Sequence, residues 1–280
     1  MAATRTGKYI ITEQTESMKK KGSRALSIDD DIIKGSFRVH FGWFMKPPVR
    51  DTDALTTHTH DFDEIIAFSG RNAADWRNLG RKVELWLDGE QHIFDKTCIV
   101  FIPQGMKHCP MIIERNDSPI SILTACLGPT YIRNEIPFKK EEQKKKPAKG
   151  TGKYIVTERT PAKAARNSLG LEMGDEVVKG SFFLSAGWFA EPTTNKFPNA
   201  AGSHSHPCDE VIAFFGSDVD NWQDLGGEVE LWLDGEKHIL TKSCLVFVPK
   251  GMKHCPLIVH RVDRPIFHFT TGPATTYSKK

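Results

Sequence analysis

A chain of 280 residues with 39% hydrophobic residues, 26% charged residues and a net charge of +3 has the balance of a globular protein, well away from disordered or fibrous composition. So small a charge argues against a dedicated nucleic-acid or anionic-membrane surface, which needs a concentrated basic face. No apolar run approaches the roughly 20 residues of a membrane span, and the opening Met1-Ala2-Ala3-Thr4-Arg5-Thr6-Gly7-Lys8 lacks the apolar core of a signal peptide, so a cytoplasmic location is expected.

The chain repeats itself. Residues 7–45 align without gaps with 152–190, so that Gly7-Lys8-Tyr9-Ile10 returns as Gly152-Lys153-Tyr154-Ile155, and residues 58–123 align with 204–269. This tandem duplication predicts two domains, 1–136 and 151–280, joined by a charged, solvated linker at 137–150. Within the first copy, Phe37, Val39, Phe41 and Trp43 stand at every other position of Lys34–Phe44, the mark of a half-buried strand. His58 and His60 follow at i and i+2, a spacing that puts both rings on one face of a strand. Asp61-Phe62-Asp63 reads as a turn, and Glu64 then opens a returning strand expected to lie beside the histidines as a hairpin neighbour, about 5 Å away. The one helical turn expected is Asn72–Leu79, with its twin at Asp218–Leu225. Val83–Leu87 runs into the Asp88-Gly89 turn, with His92-Ile93-Phe94 as hairpin partner, and Cys98–Ile102 is a fully apolar strand. Pro103, Gly105 and His108 form a turn that aims the last histidine inward, and Met111–Ile113 and Ile120–Leu123 complete the set. Many short strands punctuated by glycine and proline predict an all-β antiparallel sandwich or barrel in each copy.

His58, His60, Glu64 and His108 therefore converge, and the second copy keeps the same four residue types at His204, His206, Glu210 and His254. Three neutral imidazoles and one carboxylate suit a borderline divalent transition ion better than calcium or magnesium, which prefer oxygen shells. Four protein ligands on an octahedral ion leave positions open to a guest. The competing reading, satisfied core histidines, is weakened because all four residue types survive while their neighbours have drifted. Other residues carry less. His92 and His238 read as strand or surface histidines. His40, which faces Ser185 across the repeat, and His268, which replaces Ile122, are candidate catalytic acids or bases that would distinguish the two sites. Trp43, Trp86, Trp188 and Trp232 are expected in the core, while Trp76 and Trp222 are placed to roof the pocket. Six cysteines occur without any Cys-x-x-Cys, and Cys98, Cys109, Cys244 and Cys255, which recur at matching repeat positions, read as free buried thiols.

With these motifs in place, each half resembles a cupin and the whole resembles a bicupin. The resemblance implies two tandem cupin-type double-stranded β-helix (jelly-roll) barrels, each holding one metal through the four residues just named. It departs from the family pattern at Thr52 and Pro198, at Thr97 and Ser243, and at Ile112 and Ile258, where glycine, glycine and asparagine are usual. The implied cofactor is a divalent transition metal, Fe(II) or Mn(II) before Ni, Cu or Zn, with up to two per chain. The implied activity is metal-dependent chemistry on a small oxygenated or carboxylated molecule, dioxygenation first, decarboxylation or isomerisation next. The alternatives are a non-catalytic metal-containing binding or sensing protein and a structural double barrel. Expected partners are a small-molecule substrate and no nucleic acid or membrane, in a monomer or homo-oligomer.

Overall fold

A computed structural model describes residues 4–45, 56–114, 118–136, 150–193 and 202–275. The charged linker expected at 137–150 lies, apart from Gly150, outside these described residues, as do Thr52 and Pro198. The first half contributes β1 (Ile10–Ile11), the short helix α1 (Glu16–Lys20), β2 (Arg24–Ile28), β3 (Arg38–Phe44), β4 (Thr57–Thr59), β5 (Glu64–Gly70), β6 (Asn78–Leu87), β7 (Glu90–Lys96), β8 (Cys98–Ile102), β9 (His108–Ile113), β10 (Ile120–Cys126) and β11 (Asn134–Ile136). The second half repeats the order with β12 (Ile155–Val156), the helix α2 (Pro161–Ala165), β13 (Leu169–Met173), β14 (Phe183–Phe189), β15 (Glu210–Gly216), β16 (Asp224–Leu233), β17 (Glu236–Lys242), β18 (Cys244–Val248), β19 (His254–Val262) and β20 (Ile266–Gly272).

Each barrel is a jelly roll of two antiparallel sheets. In the first, the sheet β12-β8-β5-β10-β3-β2 faces β11-β4-β9-β6-β7; in the second, β1-β18-β15-β20-β14-β13 faces β17-β16-β19. The six-stranded sheets pack back to back, so their strands are covered on both sides. That is why β5 and β15 are buried at every position and read as continuous apolar runs. Along β5, Ile66 and Phe68 enter the barrel's own core with Leu85, Val100 and Ile122, while Ile65 and Ala67 join the layer between the barrels. Phe41 centres that layer, with its ring 4.0 Å from that of Phe215 and 5.2 Å from that of Phe267.

The halves also exchange their first strands. β1 pairs with β18 of the second barrel, and β12 pairs with β8 of the first, covering in each case a sheet edge that would otherwise be open. Just before β1, buried Thr6 gives its backbone N–H to the Glu236 carboxylate at 2.7 Å, and its hydroxyl lies 2.7 Å from His238 Nε2. The twin is Thr151, whose N–H reaches Glu90 at 2.9 Å and whose hydroxyl lies 2.7 Å from His92 Nε2. His92 and His238 are thus neither pocket residues nor simple surface histidines; they latch the barrels together.

Several expected elements are placed differently. The strand expected over Lys34–Phe44 begins at Arg38. Asn72–Leu79 is only a three-residue helical turn, Ala73–Asp75, because β6 already starts at Asn78. Two short helices went unforeseen: α1 and α2, capped by the Thr15 and Thr160 hydroxyls, which accept from the N–H groups of Met18 and Lys163. Trp86 and Trp232 are half-buried on the outer face, each giving its indole N–H to a glutamate two residues back, Glu84 and Glu230. Trp76 and Trp222 do not stand over the ligand residues; they are buried in the layer between the barrels, where Trp76 lines a small cavity. Among the described residues, no helix is long and apolar enough to cross a membrane. Thr6→Val and Thr151→Val should each cost about 1–3 kcal/mol in urea unfolding, because each removes the hydroxyl that bonds both the carboxylate and the buried imidazole nitrogen, while the backbone N–H bond to the carboxylate stays; midpoints unchanged from the parent would show the latch to be dispensable.

Candidate metal centres

Both centres form where two loops clasp. The His60 carbonyl accepts the Gly105 N–H at 2.9 Å, and the Asp63 carboxylate accepts the Gln104 N–H at 2.8 Å. The second barrel repeats this with His206 and Gly251 at 2.9 Å and Asp209 and Lys250 at 2.7 Å. Gly105 and Gly251 have φ of 76° and 78°, a left-handed conformation that accounts for the glycine of the Pro-x-Gly turn. The clasp sets β4 against β9, with His58 directly opposite His108, and His204 bridges His254 in the same way. The hairpin expected between the histidine strand and the glutamate strand does not exist. β4 pairs with β9 and β11, and β5 with β8 and β10, so Asp61–Asp63 carries the chain from one sheet to the other. Glu64 meets the histidines across the barrel interior.

All eight predicted ligands are buried, and each set converges. Glu64 Oε2 lies 3.2 Å from His108 Nε2 and 3.5 Å from His60 Nε2; Glu210 Oε2 lies 3.0 Å from His254 Nε2 and 3.4 Å from His206 Nε2. Five outer ring nitrogens are anchored to backbone carbonyls: at the first centre His58 Nδ1 to Thr56 at 2.8 Å, His60 Nδ1 to Ile132 at 2.6 Å and His108 Nδ1 to Met106 at 3.1 Å. His204 Nδ1 meets Gly202 at 2.8 Å and His254 Nδ1 meets Met252 at 3.2 Å. A carbonyl only accepts, so the proton sits on Nδ1 and Nε2 turns its lone pair inward, the tautomer a metal ligand needs. Among the described residues, His60 Nε2, His108 Nε2, Glu64 Oε2, His254 Nε2 and Glu210 Oε2 have no hydrogen-bond partner despite lying so close together. They aim at a common point rather than at one another, and a divalent cation fits such a donor set.

Burial alone would raise the Glu64 carboxyl, but His108 and His60 beside it outweigh that and hold the group at about 2; His206 and His254 do the same for Glu210. Burial, helped by the His108 charge, lowers His58 to about 4.

The two centres have different surroundings. At the first, the Tyr131 hydroxyl lies 3.4 Å from His58 Nε2, and its ring centroid is 4.7 Å from that of His60. Arg38 stands 4.8 Å and Arg133 6.0 Å from the centre of the same ring. Burial and the Glu64 charge push the Tyr131 phenol well above its usual range, so it stays protonated. Cys126 donates to Glu64 Oε1 at 3.6 Å. At the second centre Thr270 donates to Glu210, and Phe183 occupies the position of Arg38. Cys109 and Cys255 each bring a sulfur within 4.8 Å of two of the histidines, His58 and His108 or His204 and His254. Burial pushes Cys109 up to about 12, and all six cysteines are free thiols.

Sequence reasoning missed Tyr131 and Arg38. Tyr131 lies past the repeated segments. Arg38 did leave a signal, a charge among strand positions that turn into the barrel. The candidate acids His40 and His268 also face the interior, but they hydrogen-bond outside the ligand sets. His40 Nδ1 is 2.7 Å from Ser27 Oγ, and His268 Nδ1 is 2.9 Å from the Ala213 carbonyl. Burial lowers both to about 4.

No family model and no curated protein matches the chain, but solved structures do. Oxalate decarboxylase from Bacillus subtilis at pH 4.6 superposes over 92% of this chain and 74% of its own, at 13% identity and a TM-score of 0.54. A structure of the same enzyme examined for its Mn(II) centres covers the same shares at 13% identity and a TM-score of 0.53. A structure addressing the reaction specificity switch of oxalate decarboxylase gives 14% and 0.52. The chain thus has the bicupin fold that its repeated motifs resemble, and at this identity the likeness concerns the fold alone.

The titrations of His40, His58 and His268 have a definite sign. Each folded pKa of about 4 lies below the ordinary 6.5, so the stability they contribute is present above pH 6.5 and is lost as pH falls towards 4. The two glutamates, at about 2 against 4.5, act in the same direction at lower pH. Chelator-treated protein should therefore show a flat urea midpoint from pH 7 to 8 and a steady fall below about 6.5, on the order of a few kcal/mol in total. A midpoint that holds to pH 4 would contradict these environments.

Proposed function

We propose that this protein is a metal-dependent enzyme acting on a small organic carboxylate at the centre of the first barrel, with decarboxylation the favoured reaction. The observation that carries the proposal is that His60 Nε2, His108 Nε2 and Glu64 Oε2 converge without hydrogen bonds of their own, while backbone carbonyls fix the rings of His58, His60 and His108. His58, His60, Glu64 and His108 would hold the ion, with Mn(II) first in order, then Fe(II), and Ni, Cu or Zn after them; His204, His206, Glu210 and His254 would hold a second. Support for Mn(II) and for decarboxylation comes from the neighbouring structures. When bound, such an ion supplies Lewis acidity towards a substrate oxygen.

The remaining roles fall to the residues around the first centre. Arg38 and Arg133 flank Tyr131 and supply two guanidinium groups, the side chains best matched to a carboxylate. Loss of carbon dioxide breaks a carbon–carbon bond and leaves the electron pair on the remaining carbon. The Tyr131 hydroxyl, kept protonated by burial, is placed to deliver a proton to it and to recover one from solvent. Dioxygenation, expected first from the sequence, gives way as the preferred reading because two arginines beside the centre select for a carboxylate. One observation favours a metal-containing carrier or sensor instead: the Tyr131 hydroxyl already stands at the nitrogen of His58 past which a guest must come.

Reconstitution with each metal in turn, followed by assay of carbon dioxide release from a panel of small dicarboxylates and oxo acids and of oxygen uptake on catechols and diketones, separates these readings. Carbon dioxide release is the expected result. Arg38→Met should raise KM about 10- to 100-fold with a smaller change in kcat, the effect of removing one charge-assisted contact to substrate. Tyr131→Phe should lower kcat and leave KM nearly unchanged. Tight binding without product on any metal would establish the carrier, and oxygen uptake without carbon dioxide release would restore the dioxygenase.

A further inference from the structure

The two barrels diverge most at the corner where β2 and β3, or β13 and β14, approach the last strand of the large sheet. In the first barrel this corner is filled. The His40 ring reaches across to Ser27, and the Ala25 methyl stands 2.6 Å from where a Cβ on Gly42 would fall. Ile122 closes the corner from β10, and Met18 lies over it on α1. In the second barrel the same four positions hold Gly170, Ser185, His268 and Lys163. An imidazole has given way to a hydroxymethyl group, a methyl group has been lost, and two apolar side chains have become basic.

The result is a cavity of about 200 Å³, lined by Lys163 and Arg166 at one side, Ser185 and His268 at its floor and Phe189 and Pro192 along its wall. Lys163 Nζ donates to Ser185 Oγ at 2.7 Å, which occupies one of its three protons. Burial lowers the Lys163 pKa, while the nearby Glu172 charge opposes that shift. The His268 ring lies between Phe189 and Phe214, with centroids 5.0 Å and 4.9 Å away. Its Nδ1 proton goes to the Ala213 carbonyl, so Nε2 of the neutral ring is an acceptor. The carboxylate of Glu191 also lines the cavity. Two cationic donors, one imidazole acceptor and an aromatic wall in so small a space match a compact molecule with an anionic head and an apolar body.

We propose that this cavity is a binding site for a small organic carboxylate, received by Lys163 and Arg166 and packed against Phe189 and Pro192. None of the eight metal-ligand candidates lines it. It nevertheless adjoins the second centre, since Ser185 pairs in register with Thr270 and Thr270 donates to Glu210. The site does not rest on the activity proposed above, and its test needs no metal.

Chelator-treated full-length protein is titrated calorimetrically with benzoate, succinate and inorganic phosphate. Saturable binding of a carboxylate at one equivalent per chain is expected, unchanged in Arg38→Met. It should weaken about tenfold or more in Lys163→Met, through loss of a charge-assisted contact, and vanish in Ser185→His. Both substitutions install the residue that the first barrel carries at the same position. Circular dichroism verifies that each variant folds, and Lys163→Gln decides the matter if Ser185→His does not. Binding of no probe, binding that survives both Lys163 variants, or binding lost in Arg38→Met would overturn the proposal; preference for phosphate would overturn the ligand class.

Discussion

The imidazole nitrogens of His60 and His108 with the Glu64 oxygen, and that of His254 with the Glu210 oxygen, buried within hydrogen-bond reach and yet not bonded, are the constraint on which the molecule turns. Polar atoms held in that way are costly unless positive charge stands among them. The surrounding structure is devoted to keeping them there. Backbone carbonyls fix the ring tautomers, the Pro-x-Gly turn is tied to the loop between the histidines and the glutamate, and β4 and β9 bring two rings together edge-on. Because each tie uses backbone atoms or a short acidic side chain, it has outlasted the drift of the residues around it.

Duplication gave the chain two such centres, and the differences between them are chemical. Arg38 and Tyr131 charge and cap the first; Phe183 and Thr270 leave the second plainer. Away from the ion the contrast reverses, since His40 and Ala25 fill a corner that Ser185 and Gly170 leave hollow. The apolar layer between the barrels has instead kept its character in both copies, because Phe41, Phe215 and Phe269 pack against each other across it and a change on one side is felt on the other.

The ligand residues and the double barrel were legible because their signals are local and doubled: two histidines at a strand's period, a proline-glycine turn, and the same spacing again 146 residues on. The pairing of β4 with β9 was not, because a turn of three residues looks the same whether it closes a hairpin or carries the chain between sheets. α1 and α2 are a single turn each, too short for a 3.6-residue period to register, and only their threonine caps mark them. Trp76 and Trp222 seemed free to cover a pocket because nothing in a sequence announces that a second barrel will lie against them. Tyr131 follows the last repeated strand, where comparison of the copies gives no help.

The crossing of β1 and β12 bears on how the molecule is made. As the polypeptide leaves the ribosome, the first barrel has all its own strands by Cys126 or Ile136, yet the exposed side of β8 waits for Ile155 and Val156 to be synthesised. The opening residues wait longer still, until β18 emerges more than two hundred residues later. Completion of either half therefore depends on translation of the other, which ties the copies into one biosynthetic unit and disfavours their separation into independent genes.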